Sequence, residues 1–442
     1  MKQLTSFFNR LVQRYLPDAF LFALLLSLVV FVLGLLFTDS GPVQMMEHWG
    51  TGFWDLLTFA MQMTLIVVTG YILANTPLIK GFLNQVSSLA KTPSQAIILV
   101  TVIASIACLI NYGFGLVVGG LLSLHVAKRV PTVDYRLLIA SAYSGFLLWH
   151  GGLSGSVPLT IATEDHFLAD VMGTVPIVDT LFSGMNVFIV LVMLVTLPLM
   201  NWWMNRTSDY TGTIDPAFLE GQTESVEVEE MPKSDMTPAE RLENSMILSL
   251  IIGLLGMSFV VYHFVNNGLD LNLNIVNFTM LFLGILLHKN PRRYLNVVGD
   301  AVKNAGGIII QFPFYAGIMG MMVASGLSEQ MSLWFVSISN EVTFPLFTFL
   351  SAGLVNFFVP SGGGQWAVQA PIMIPASIEL GVDTAKTAMA VAWGDAWTNM
   401  VQPFWALPLL AIAGLKVRDI MGFCMVLLLY SFFPIAIGLL LF

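Results

Sequence analysis

Asp395 is the carboxylate placed deepest in an interrupted hydrophobic run of this chain, Ala392 to Ala413 (AWGDAWTNMVQPFWALPLLAIA). A carboxylate at the centre of a bilayer costs roughly 2.5–3.5 kcal/mol on insertion scales, so a compensating role is expected. Three roles fit it: holding a coupling proton, ligating a cation, or hydrogen-bonding to a nearby backbone turn. A run 250 residues earlier, Ala142 to Ala162 (AYSGFLLWHGGLSGSVPLTIA), has the same plan. Ala142 and Ala392 each precede an aromatic residue, and Pro158-Leu159 matches Pro408-Leu409 sixteen residues on. The earlier run carries His150; histidine titrates near neutrality in water, though a lone membrane histidine also serves simply as a hydrogen-bond partner. Paired, interrupted hydrophobic segments in two halves of a chain point to the midplane site of a secondary transporter.

Other groups around the interruptions suit a small anion. The candidate substrate contacts are Asn111, Gly113, Trp149, Ser154, Ser361, Gly362, Gly363, Gln365, Thr398 and Asn399, with Asp395 and His150 as candidate coupling residues. Helices restarting after a break expose free N–H groups and a positive dipole end, which suits an anion without a fixed cation. No Lys or Arg lies in these segments, which disfavours a multiply charged cargo. Oxygens of Asn111, Ser154, Ser156, Ser361, Thr398 and Asn399 could share Na⁺ with broken-helix carbonyls, the nearest candidates being Asn111, Ser361 and Asn399. Tyr112, Trp149, Trp366, Trp393, Trp397, Phe404 and Trp405 could line a short acyl chain, or serve only as packing. No nucleophile with a positioned base emerges from His150, Cys108 or the serines, so an enzyme is not expected.

These groups need elements to hold them, and composition says which. The chain is 56% hydrophobic and 10% charged, with a mean hydropathy of +0.81, whereas soluble domains carry about 25% charged residues. Long continuous apolar runs, rather than short alternating ones, indicate a polytopic α-helical membrane protein and not a β-barrel. Lys2, Arg10 and Arg14 precede a run too long for a signal peptide, read as a retained first helix. Cys108 and Cys424 read as small packing residues. Residues 207–244 hold ten acids against Lys233 and Arg241, supplying −8 of the net −9. That stretch reads as an acidic cytoplasmic linker between halves, with a docking role as the alternative.

The periodicity predicts helices 18–37, 52–75, 177–204, 245–265, 273–288, 302–325 and 419–442, with amphipathic stretches 77–92 and 327–341. Apolar pairs lie at 94–110 with 114–128 and at 343–357 with 365–379; interrupted helices occupy 136–163 and 385–414. Asp55 and Glu341 fall near helix ends and read as interfacial. Two repeats follow, 51–206 and 297–442, with 1–50 and 245–296 as scaffold helices. Gln62 pairs roughly with Gln311, Gly70 with Gly317 and Asn111 with Asn356, at nearly constant offset. With the amino terminus inside, only Lys386 of eighteen basic residues falls outside. Helices 52–75 and 302–325 then run in opposite directions, so the repeats are of inverted topology. The pairs meet at Asn111-Tyr112-Gly113-Phe114-Gly115 and Pro360-Ser361-Gly362-Gly363-Gly364-Gln365. Such runs read either as re-entrant hairpin tips lining a wet cavity or as ordinary interhelical turns. Charge bias leaves both open, because parity is the same.

The segments INYGFGLVVGG (Ile110 to Gly120), WHGGLSGSVPL (Trp149 to Leu159), VPSGGGQWAVQAP (Val359 to Pro371) and GDAWTNMVQPFWALP (Gly394 to Pro408) carry a resemblance. With the opening LVQRYLPDAFLFALLLS, the chain resembles the bacterial short-chain fatty acid transporter family, the AtoE type, over nearly all its length. The resemblance implies uptake of monocarboxylates such as acetoacetate or butyrate across a bacterial inner membrane. More distantly the plan looks like the ion transporter superfamily, implying a homodimer with an elevator mechanism. The paired Ser-Asn-Thr motifs of its Na⁺ symporters are not reproduced; only Thr398-Asn399 and Ser361 match. The expected protein is therefore a symporter driven by H⁺ or Na⁺, with no other cofactor and no nucleic-acid partner. Its amino terminus is expected in the cytoplasm and its carboxyl terminus in the periplasm. A passive carboxylate channel, or a carrier of another small organic anion on the same fold, is the alternative. The halves are unequal: Trp149-His150-Gly151-Gly152 stands opposite Asn399-Met400-Val401-Gln402, and Asp395 opposite Gly145.

Overall fold

The computed structural model describes residues 19–207, 236–303, 305–401 and 404–442. Lys2, Arg10, Arg14, most of the acidic linker and Gln402 lie outside the described residues. The first half comprises α1 (Ala19–Phe37), α2 (Pro42–Gly52), α3 (Leu57–Ala74), α4 (Pro77–Ser87), α5 (Pro93–Ile110) and α6 (Tyr112–Arg129). It continues with α7 (Tyr135–Ser144), a 3₁₀ segment (Gly145–Gly151), α8 (Ser156–Ile161), α9 (Ala169–Met172) and α10 (Gly184–Thr207). Then come α11 (Pro238–Glu243), α12 (Met246–Asn267), α13 (Leu273–His288), α14 (Pro291–Lys303), α15 (Gly306–Ala324) and α16 (Leu327–Ile338). The chain ends with α17 (Phe344–Val355), α18 (Gly362–Glu379), α19 (Thr384–Thr398), α20 (Ala406–Ala413) and α21 (Val417–Leu441).

Among the described residues there is no strand, and seven helices (α1, α3, α5, α10, α12, α15 and α21) are long and apolar enough to cross a membrane. Only 17% of α1 and 22% of α12 is buried along that length, against 67% of α3. α1 and α12 are thus apolar outer helices, and α3 belongs to the interior. The order of elements recurs. A long helix, a shorter helix, a packed pair, an interrupted helix and a second long helix run from α3 to α10 and again from α15 to α21.

Local chemistry sets the element ends. α4 and α5 both open on Thr-Pro: the hydroxyls of Thr76 and Thr92 accept the N–H groups of Ile79 and Gln95, and proline occupies the first helical position. The predicted helix 52–75 is divided by a turn at 53–56, closed by Asp55 N–H to the Gly52 carbonyl at 3.2 Å. α14 was not anticipated by hydropathy, because it is short and carries Arg292, Arg293, Asp300 and Lys303. Its Tyr294, Val297, Val298 and Ala301 pack on Val68 and Ile72 of α3. The predicted helix 177–204 begins at Gly184. Of the linker, the end near α11 is described: Thr237 and Glu240 form a capping box that draws the Glu240 carboxyl below its ordinary range, through hydrogen bonds from the Thr237 backbone and hydroxyl.

The glycines of the two pairs are in helices rather than in loops. Only Asn111 separates α5 from α6, and Gly362 to Gly364 form the first turn of α18. They are needed for close approach: a β-carbon on Gly115 would lie 2.6 Å from the Cys108 Cα. Cys108 and Cys424 are free, buried packing residues.

One amide fastens the interior. Fully buried Asn201 of α10 donates to Thr101 Oγ1 (3.0 Å) and Ser144 Oγ (2.9 Å), joining α10 to α5 and α7. Asn201→Ala removes both hydrogen bonds between the helices and is expected to cost about 1–3 kcal/mol, read as a lower midpoint in thermal unfolding of the purified protein.

Candidate functional site

The two pair connections are capped alike. Asn111 and Ser361 both adopt extended backbone (φ −158° and −154°), and their side chains accept the N–H groups of Phe114 and Gly364. Asn356, at the offset matching Asn111, instead ends α17. Each connection reaches the middle of a long helix. Asn111 Nδ2 donates to the carbonyl of Ile66 (3.3 Å), the tenth of eighteen residues in α3. A β-carbon on Gly364 would lie 2.6 Å from the ring of Tyr315, the tenth of nineteen in α15. At 1.5 Å per residue, both contacts lie about 14 Å from the start of the helix they touch.

The interrupted helices pack beside these connections. α7 passes into the 3₁₀ segment at Gly145, which abuts the Ala104 and Ser105 backbone, and the helix restarts only at Ser156. Leu153 N–H donates to the Leu109 carbonyl (2.6 Å), and Ser154 Oγ accepts the Tyr112 N–H (2.9 Å), fixing the first break to the first connection. In the second half α19 stops at Thr398 and α20 begins at Ala406. Asn356 Nδ2 is shared among the Asp395 carbonyl (3.0 Å), Thr398 Oγ1 (3.0 Å) and Asn399 Oδ1 (2.9 Å). Thr398 Oγ1 in turn donates to the Gly353 carbonyl at 2.9 Å.

The two breaks meet at one buried pair. His150 Nε2 lies 3.2 Å from Asp395 Oδ2, which also accepts from Asn399 Nδ2 at 3.1 Å. Both residues are fully buried. Trp149 lies over His150 with ring centroids 3.7 Å apart, and it is enclosed by Tyr112 (4.7 Å), Phe146 (5.3 Å) and Trp405 (6.4 Å). Gly362 brings the second connection onto the His150 and Trp149 rings. Several polar atoms in this region are buried without a hydrogen-bond partner among the described residues: His150 Nδ1, Asp395 Oδ1, and the indole Nε1 of Trp149 and Trp405. Buried polar groups are ordinarily satisfied, so these atoms set the cluster apart from the capped connections beside it.

All the candidate residues are buried, but they divide by role. His150, Asp395, Asn399, Trp149 and Gly362 form the central cluster, with Asn111, Ser154 and Tyr112 beside it. Gly113 backs onto Val67, and Gly363 onto Phe59 and Met63, both away from the cluster. Thr398 fastens α19 to α17. Gln365 donates to the Ala352 carbonyl (2.9 Å) and Gln369 (3.0 Å), tying the arms of the second pair together. The three oxygens nearest the expected Na⁺ position each accept an internal N–H already: Asn111 from Phe114, Ser361 from Gly364, and Asn399 from Asn356. Among the aromatics, Trp393 donates to Asn186 (3.1 Å), Trp397 donates to the Leu428 carbonyl (2.8 Å), and Phe404 packs on Trp405.

Sequence reasoning missed Asn186 and the central place of Asn356. Asn186 binds the Gly151 and Leu181 carbonyls and so holds the end of the 3₁₀ segment. Each is a lone amide in an apolar run, which is the available signal. Among the described residues no Lys or Arg is buried, so the cluster has no fixed positive charge.

Comparison with known proteins follows the whole chain. The family profile described as "Short chain fatty acid transporter" matches residues 1–442. A protein of Escherichia coli (strain K12) named for short-chain fatty acid transport is 48% identical over 440 residues, covering 100% of this chain and 99% of its own. One of Haemophilus influenzae (strain ATCC 51907 / DSM 11121 / KW20 / Rd) with the same name is 46% identical over 446 residues, covering 99% of each chain. Among solved structures, the Alcanivorax borkumensis YdaH transporter, described as having an unusual topology, aligns with a TM-score of 0.57 at 16% identity, covering 95% of this chain and 98% of its own. Neisseria gonorrhoeae MtrF, described within a class of antimetabolite efflux pumps, aligns at 0.51 with 13% identity, covering 99% and 96%. At these identities the structural likeness is one of fold.

Proposed function

The chain belongs to the short-chain fatty acid transporter family, a group of multi-pass membrane transporters, and from that premise we propose that it carries short-chain monocarboxylates of the acetoacetate or butyrate kind by alternating access. The observation that carries this reading is the convergence of both breaks and both pair connections on His150 and Asp395, beside the middles of α3 and α15. A connection that reaches halfway along a spanning helix lies halfway across the membrane, which is what a re-entrant hairpin requires. Residues 94–163 and 343–414 form the transport core, and the remaining helices form the scaffold against which it moves, elevator-fashion. The repeats are inverted and the protein is a homodimer. It lies in a bacterial inner membrane with its amino terminus in the cytoplasm and its carboxyl terminus in the periplasm. Uptake is by symport with H⁺ or Na⁺. The aromatic enclosure takes the short acyl chain, and the absence of a buried Lys or Arg suits a single carboxylate.

Counterflow tests the carrier. Unlabelled butyrate preloaded into proteoliposomes should accelerate entry of labelled butyrate severalfold, after subtraction of diffusion into protein-free vesicles. A rate indifferent to the preload would mean a channel.

A further inference from the structure

The tautomer of His150 has a consequence for what the site can hold. An ionised carboxylate only accepts hydrogen bonds. With Nε2 3.2 Å from Asp395 Oδ2, a neutral His150 keeps its hydrogen on Nε2 and leaves a bare lone pair on Nδ1. That Nδ1 is buried and has no partner among the described residues, and the same is true of the neighbouring Trp149 Nε1. A bare lone pair repels an approaching carboxylate. Only the imidazolium presents N–H on both nitrogens.

We propose that His150 receives the carboxylate of the cargo through Nδ1–H, and does so only as the imidazolium, so that each monocarboxylate binds together with one proton. The inference rests on the carrier reading above and adds the coupling ion and its stoichiometry. Charge follows directly. The empty site holds Asp395 alone, one negative charge. The loaded site holds Asp395, the imidazolium and the cargo, again one negative charge. Loaded and empty carriers therefore differ by no net charge, and the transport is electroneutral.

The rest of the surroundings leaves this exchange to His150. The elements packed on the 3₁₀ segment and on α19 are α5, α6, α7, α8, α10, α17, α18 and α21. Their titratable groups nearest the pair are Tyr112 and Tyr143, with Cys108 and Cys424 behind them. Tyr135 and Tyr430 are engaged elsewhere, with the Ala413 carbonyl and with Thr196. The remaining charged or titratable groups on these elements and on α19, namely His125, Lys128, Arg129, Arg136, Arg206, Glu379, Lys386, Arg418 and Asp419, lie towards helix ends remote from the breaks.

Titration calorimetry of butyrate into the purified full chain tests this. It is run at about pH 8 in buffers of differing ionisation enthalpy, with sodium present or replaced by choline. The expected result is uptake of about one proton per butyrate bound, with affinity falling about tenfold per pH unit on the alkaline side. His150→Gln should bind about tenfold to a hundredfold more weakly at acid pH, having lost a charge-assisted donor, and should take up no proton. Asp395→Asn removes the counter-ion and should likewise take up none. A wild-type count of zero, or sodium-dependent binding without proton uptake, overturns the inference, and so does undiminished proton uptake in His150→Gln. The wild-type count decides the matter even if a variant fails to fold. Absence of butyrate binding at every pH would instead sink the carrier reading.

Discussion

Gly362→Ala is expected to lower butyrate uptake at least about a hundredfold, because sub-ångström placement of groups around a reacting or bound species carries effects of that order. The added β-carbon would lie 2.7 Å from both His150 Cε1 and Trp149 Cη2. Neither ring has room to retreat. His150 is held by Asp395, and Trp149 is stacked on Phe146 with Tyr112 at its edge. Overpacking of this kind costs about 1–3 kcal/mol, which the protein survives, so the variant should remain in the membrane with the packing around His150 forced apart. Gly299→Ala is the control: nothing lies within 4 Å of a β-carbon at that position, and uptake should be unchanged. Initial rates in proteoliposomes, normalised to inserted protein, make the comparison. A Gly362→Ala variant as fast as wild type would mean that the second hairpin need not close on His150 during the cycle.

Asn356→Asp should be the more damaging change to stability, although the side chains have the same shape. The amide NH₂ of Asn356 is the donor shared by three acceptors, the Asp395 carbonyl, Thr398 Oγ1 and Asn399 Oδ1. A carboxylate there donates nothing, turns one oxygen towards those three acceptor oxygens, and is fully buried. Leaving a buried charge uncompensated costs about 3–5 kcal/mol. Thermal unfolding of the purified variant should show a large drop in midpoint, recovering as pH falls and the new carboxyl takes a proton. The sign follows from linkage: the neutral acid is the form the folded site tolerates, so stability is lost as pH rises. Unchanged stability at neutral pH would show that Asn356 is not the fastening between α17 and the second break.

Legibility in the sequence followed how local each feature is. The breaks near Gly145 to Gly155 and after Thr398 were readable because glycine, serine and proline act on their own backbone. So were α13, whose ends match the prediction, and the two pairs, whose arms are uniformly apolar. α14 was hidden because one apolar stripe among charges gives no membrane-length run. The glycines misled in one respect. Gly113, Gly115 and Gly362 to Gly364 suggested loops, since glycine is costly inside a helix. They lie in helices because a neighbour needs the space, as Cys108 does against Gly115 and Tyr315 does against Gly364.

The candidate site divided in the same way. Asp395 and His150 stood out one at a time, as ionisable residues where lipid should be. Gln365 and Thr398 stood out in the same way, and the structure adds their hydrogen bonds to the carbonyls of Ala352 and Gly353.

What the sequence determined alone was the solvent of this chain, its helices, their interruptions and its family, because apolar length, helix breaking and motif order are properties of contiguous residues. Only the tertiary structure decided which interruptions face each other. His150 and Asp395 are 245 residues apart, and their contact at 3.2 Å depends on the packing of α5, α17 and α18 around both breaks. No local propensity encodes that distance. It also decided which polar atoms were left without a partner among the described residues, His150 Nδ1 and Asp395 Oδ1 among them.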